Sequence, residues 1–369
     1  MKPQRIKLGI LVLVLGLAML VPAAAWGAET GPAADRPQLS LDEAVNAALS
    51  YSKTLQLAEY DIDRSREVRD DAGDNVDFIP LGSATVSSDS VYKKLVSSDL
   101  SWQMYKKTRN VKADQLVMQV FQAYNNVLNA EEKIIVAEKA LANAEWQRRA
   151  ARIGYRVGTV SLSSQLLAES SYEVSVASLQ AAKESRDDAW TKFNALLGVE
   201  PSQRYQLTDR AELVPLEVID LESVVSARLS ESPSAWLADR NVDIARLNLD
   251  LYNWLDTNRA PYETAKIDLR KAETTAADSK DQIRQLVRGL YYSIRQLEEQ
   301  YTNVEQNLKS AEETLRVKQV QLAVGTGTKG EVIVAEASVS ALKQSRQQII
   351  NQHEVTRLAF DKPWAYSGS

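Results

Sequence analysis

Apolar residues at Val120, Ala123, Val127, Ala130, Ile134, Ala137, Leu141 and Ala144 follow an unbroken alternation of three- and four-residue steps. That spacing places them on one stripe of an α-helix, with Glu, Lys, Arg, Asn and Gln on the faces between. Adding 167 to each position gives Val287, Leu290, Ile294, Leu297, Tyr301, Val304, Leu308 and Ala311, a second stripe of the same kind. Two seams of this length predict long helices that pack in a coiled-coil manner. Proline spacing permits them: no Pro lies between Pro80 and Pro201, nor between Pro261 and Pro363, and proline is what breaks helix interiors. A first helix from about Lys93 to Ile153 would reach roughly 90 Å at ~1.5 Å per residue. Glycines cluster once in each stretch, at Gly154 and Gly158 and again at Gly325, Gly327 and Gly330. Each stretch therefore reads as a helical hairpin closed by a Gly-containing turn.

The two hairpins are copies of one unit. Between residues 120 and 180 the constant offset of 167 yields 17 identities in 61 positions without a gap. Heptad spacing alone would align Leu and Ala but not the Val-Gly-Thr of the turn, so the match reports common descent. A second match, at an offset of 180, runs from Leu39 to Asp63 and pairs Leu41 with Leu221, Ser50 with Ser230 and Ser52 with Ser232. The expected class is all-α: two tandem long antiparallel helical hairpins, 39–200 and 216–362, with at most a vestigial β segment. Tyr124 and Tyr291 read as core residues. Glu131-Glu132 and Glu298-Glu299 read as solvated faces, and His353 as a surface residue.

Composition narrows the chemistry. The chain has 369 residues with no Cys and one His. Disulfides, thiolate metal sites, His-based triads and multi-His metal clusters are excluded. A net charge of −5 argues against nucleic-acid binding. Carboxylates are plentiful but none falls in a pocket-forming loop, and Gly325-Thr326-Gly327-Thr328-Lys329-Gly330 lacks the P-loop spacing. The expectation is a protein without enzymatic activity, cofactor or metal. At the N-terminus, Lys2, Arg5 and Lys7 precede an apolar run from Leu8 to Val21 and then Ala23-Ala24-Ala25 and Gly27-Ala28. That is the pattern of an export signal over 1–28, the run being short of the roughly 20 residues a membrane span needs.

Each copy opens with Leu-Ser-Leu-Asp-Glu-Ala (39–44) or Ile-Asp-Leu-Glu-Ser-Val (219–224). A long helix with Tyr124 or Tyr291 follows, then a Val-Gly-Thr turn and an Ala-Glu pair ten residues on; Asn194-Ala195-Leu196-Leu197-Gly198 closes the first copy. This order, met twice behind an export signal, resembles the TolC-type outer-membrane efflux family across nearly all of the mature chain. The resemblance implies a homotrimer whose hairpins form an α-barrel tunnel in the cell envelope. Its partners would be a periplasmic adaptor (membrane fusion) protein and an inner-membrane pump, in efflux or type I-like secretion. It also implies that Val157, Gly158, Thr159, Val324, Gly325 and Thr326 form adaptor-contacting hairpin tips. Glu331 then stands where the family often has an acidic residue at the tunnel mouth, whereas the first copy has Ser164. The β-barrel strands of the family are largely missing: Ile79 to Val86 is one candidate strand, Leu100-Ser101-Trp102 a remnant, and Tyr252 to Pro261 a turn. The alternative reading is a structural coiled-coil protein of the envelope that has lost channel activity.

Overall fold

The structure is a computed structural model that describes residues 36–74, 86–252 and 260–366. The export signal lies outside the described residues, as does the candidate strand from Ile79 up to residue 85; Val86 itself opens a helix. Of the expected turn, residues 253–259 are likewise outside.

The first copy comprises α1 (Leu41–Tyr51), α2 (Lys53–Asp74), α3 (Val86–Arg156) and α4 (Leu162–Leu197). The second comprises α5 (Leu221–Glu231), α6 (Pro233–Asp250), α7 (Tyr262–Ala323) and α8 (Lys329–Asp361), followed by a 3-10 turn at Pro363–Ala365. The β content among the described residues is one parallel two-residue pairing, β1 (Gln38–Leu39) with β2 (Gln206–Leu207). Helix starts repeat at the sequence offsets. α1 and α5, and α2 and α6, begin 180 residues apart, and α3 and α7 end 167 apart.

Local signals set these bounds. Ser40 opens α1 with a capping box: its Oγ accepts from the Glu43 N–H at 3.2 Å while its own N–H donates to Glu43 Oε2 at 2.9 Å. Ser52 and Ser232 break the short rods at equivalent points. Each leaves helical backbone (ψ 111° and 118°) and accepts from the N–H three residues on. Pro233 then starts α6 where a missing N–H costs nothing. α3 runs 71 residues without Pro, about 105 Å, and is longer at both ends than its periodicity alone indicates. Leu100-Ser101-Trp102 lies inside it, so the remnant strand is helix; Ser101 Oγ donates to the carbonyl of Ser97, one turn back. No breaker intervenes, and helical bonding continues through an ambiguous apolar run.

α4 meets α1 end to end along α3, and the rods lie side by side in the order α4 with α1 and α2, then α3, then α8 with α6, then α7. α3 and α8 are inner rods, and the contact between copies runs from α3 to α8, α6 and the closing 3-10 turn. Two cores sit at equivalent heights. Ala44, Val120, Tyr124, Val127, Trp190 and Phe193 form the first; Val225, Val287, Leu290, Ile294, Ala359 and Phe360 are in the second. Every position of both seams is buried or half-buried. Tyr124 is 1% exposed and stands edge-on to Phe193 at 5.9 Å. Its hydroxyl donates to the Leu39 carbonyl and accepts from the Asp209 N–H. Burial and the nearby Asp209 charge raise its pKa above the ordinary tyrosine value.

Two surface expectations are overturned. His353 is wholly buried, with Nδ1 3.3 Å from Glu354 and Nε2 3.6 Å from Glu298. Glu298 is mostly buried too, and its carboxylate accepts from the Leu216 N–H at 2.6 Å and from Arg295 at 2.8 Å. For His353 the cause is the position of α8 between α3 and α7, which buries two of its faces; Glu298, on α7, is covered by His353 and by the Leu216 backbone.

Candidate functional site

The two turns that join the long helices have one geometry. In the first, the Gly158 N–H donates to the Tyr155 carbonyl at 3.1 Å and the Thr159 N–H to the Gly154 carbonyl at 2.8 Å. In the second, Gly325 donates to Leu322 at 3.1 Å and Thr326 to Gln321 at 2.9 Å. This paired closure is a Schellman motif, which needs a left-handed residue just past the helix. Gly158 and Gly325 supply it, with φ of 77° and 79°. A Cβ at either glycine would meet nothing within 4 Å, so backbone conformation and not space requires glycine. The threonine hydroxyls add a second donor to the same carbonyls, at 3.1 Å and 3.3 Å.

The side chain before each glycine is left bare: Val157 is 68% exposed and Val324 67%. More apolar surface continues from the first tip through Tyr155, Leu162, Leu166 and Leu167, and from the second through Val320, Leu322 and Val334. Exposed apolar side chains gathered at the ends of two hairpins form a patch of the kind that marks an interaction site.

Position 331 has a local task. Thr328 caps α8, and Glu331 closes the capping box: its N–H donates to Thr328 Oγ1 and its carboxylate accepts from the Thr328 N–H, both at 3.3 Å. Its carboxylate also lies 3.7 Å from Lys318. In the first copy Ser161 caps α4 and accepts from the Ser164 N–H, so the carboxylate is present on one side alone. Beside the second tip, α3, α7 and α8 enclose an apolar groove of about 620 Å³ that includes Trp146, Lys318 and Glu331. Gly330 makes its floor: a Cβ there would come within 2.2 Å of Trp146 Nε1. Sequence reading missed this contact, because it joins different copies and no repeat offset connects residues 146 and 330.

The Ala-Glu pairs beyond the turns act as braces. Glu169 reaches back within its own hairpin to Arg152 at 2.9 Å and Arg148 at 3.4 Å. Its counterpart Glu336 instead reaches Lys139 of α3 at 3.1 Å, across the boundary between copies. Among the described residues no three metal-ligating side chains cluster, and no helix is long and apolar enough to cross a membrane.

No family model and no curated protein matches the sequence. Solved structures do match. The Campylobacter jejuni CmeC outer membrane channel superposes with a TM-score of 0.68 at 12% identity, over 88% of this chain and 85% of that one. The chain has the fold of the TolC-type outer-membrane channels. The Vibrio cholerae outer membrane protein VceC (TM-score 0.63, 14% identity, 88% and 95% of the two chains) and the Neisseria gonorrhoeae MtrE outer membrane channel (0.61, 16%, 88% and 88%) agree. At these identities the likeness is one of fold, and it covers 88% of this chain in each case.

Proposed function

We propose that this chain is the TolC-like envelope component of an efflux or type I-like secretion system, working as a passive conduit and docking element. One observation carries the reading. Two hairpins end in the same Schellman turn, and each presents a bare valine at the same point. Helical pairing alone does not require an apolar side chain there. In this reading residues 1–28 are removed on export, and 39–200 and 216–362 are the two working hairpins. Val157-Gly158-Thr159 and Val324-Gly325-Thr326 contact a periplasmic adaptor that links the protein to an inner-membrane pump. Glu331 adds a carboxylate at the same end. Purified protein mixed with its cognate adaptor should form a complex on a sizing column. Val157→Asp with Val324→Asp should abolish it while helicity and melting stay unchanged, since both side chains are exposed; undiminished binding removes the tips from the interface.

A second reading, an envelope scaffold without a channel, rests on chain length. Residues 75–85 and 251–261, which join the short rods to the long ones, number 11 each. A β-hairpin crossing a bilayer takes two strands of about 9–11 residues and a turn. Partition into detergent together with conductance in planar bilayers supports the channel; an aqueous, non-conducting species supports the scaffold.

A further inference from the structure

The row of rods has two unlike faces. Residues 208–222, which join the copies, cross one of them. There the Asp209 N–H donates to the Tyr124 hydroxyl at 3.0 Å and Arg210 pairs with Glu132 at 3.0 Å. The Leu216 N–H donates to Glu298 at 2.6 Å, and Glu222 pairs with Arg288 at 2.7 Å. Two clefts open on the other side, one of about 840 Å³ between α3, α4 and α8 and one of about 490 Å³ between α7 and α8. Asn126 lines the first and Gln300 the second. Each stands two residues beyond a crossed-face residue, Tyr124 or Glu298, which is about 200° around a helix of 3.6 residues per turn. Gln348 and Gln352 of α8 line both clefts, so the two form one surface that spans both copies.

A quarter of the chain is charged, yet this surface carries three charged side chains, all in the first cleft. Asp188 and Lys192 of α4 neutralise each other at 2.7 Å. Nearer the tips, Lys318 and Glu331 pair in the same way at 3.7 Å. Lys133 of α3 is exposed, and among the described residues no carboxylate pairs with it. The duplication supplies an internal control: at the offset of 167 the counterpart of Lys133 is Gln300, on the same surface. The fold therefore does not require a cation at this point of the rod.

We infer that this face is the wall of the passage and that Lys133 gives the passage a preference for anionic cargo. The inference rests on the conduit reading above. A passage has to keep connecting chain off its wall, and residues 208–222 lie on the opposite face. Carboxamides offer donors and acceptors to water and cargo without fixing the sign of what passes. On such a wall one unneutralised ammonium per copy, repeated around a closed ring, sets the local potential. Rings of Lys or Arg select anions in this way. The net charge of −5 taken alone would predict the opposite preference.

Two measurements on the full processed chain test this. The chain has no Cys, so Lys133→Cys and Lys309→Cys each place one thiol on an exposed position, the first on the inferred wall and the second on the crossed face. A small maleimide should label both, and a bulky polyethylene-glycol maleimide only the second. The reverse pattern overturns the wall and leaves the conduit reading standing; free access of the bulky reagent to both removes the conduit and this inference with it. In planar bilayers under a potassium chloride gradient, the reversal potential of the native chain should show anion preference. Lys133→Gln, which installs the residue of the second copy, should bring it close to zero, and Lys133→Glu should invert its sign, with helicity unchanged. Cation preference in the native chain, or an unchanged potential in Lys133→Gln, overturns the role of Lys133. Absence of conductance removes the conduit reading and this inference together.

Discussion

Gly158 and Gly325 hold left-handed backbone in open space, which isolates a single physical effect. Gly158→Ala or Gly325→Ala should each cost about 1–2 kcal/mol, the left-handed penalty of a β-carbon, in urea denaturation. Asn at either position should cost less, since it tolerates that conformation better. Both glycines were legible from the doubled Val-Gly-Thr. Glu298 was not. Burial pushes its carboxyl up, but the Leu216 N–H, Arg295 and His353 pull harder, so its pKa lies below the ordinary carboxylate value. A carboxyl lowered by folding stabilises the fold in its ionised form. The contribution is full at neutral pH and fades as pH falls below the usual carboxylate range through the lower folded pKa. Between pH 7 and 3, Glu298→Gln should therefore lose less stability than the native chain. Equal losses would remove Glu298 from the acid response. Reading His353 as solvated assumed a helix with one buried face, and α8, packed between α3 and α7, has two; Glu298, on α7, is covered by His353 and by the Leu216 backbone.

At the level of elements, the contacts between copies are where packing decides most. α8 approaches α3 closely at Gly330, where Trp146 occupies the space of a side chain. Gly330→Ala should cost about 1–3 kcal/mol by overpacking, measured by thermal or urea unfolding, despite the better helix propensity of Ala. A gain in stability would show that the indole moves aside freely. The helices themselves were legible because proline exclusion and seam periodicity act through local backbone chemistry. Phe193 and Phe360 obey the same offset of 167 and are both buried. They lie beyond the identities that define the repeat, so their equivalence emerged from packing. Leu100 to Trp102 went the other way: a three-residue apolar run has no period of its own, and the surrounding helix absorbs it.

At the scale of the whole molecule, the row of rods has two rims. One, α2 with α4, exposes Leu57 (62%) and Tyr60 (68%); the other, α7, exposes Ile267 (59%) and Tyr292 (64%). Different apolar rims on one molecule suit a head-to-tail interface that closes into a ring. Sedimentation should show an oligomer, a trimer if the family resemblance holds, and Leu57→Glu with Tyr292→Glu should reduce it to a monomer of unchanged helicity. Persistence of the oligomer would place its interface elsewhere. By itself the sequence determined the all-α class, the duplication and the turns, since these follow from local backbone preferences and from a repeat that can be read by eye. The tertiary structure decided which helices are inner and which are rims, that Glu298 and His353 are interior, and that Glu169 and Glu336 brace different partners. Those outcomes depend on which copy of a rod lies beside which, and pairing between rods far apart in the chain leaves no mark in local periodicity.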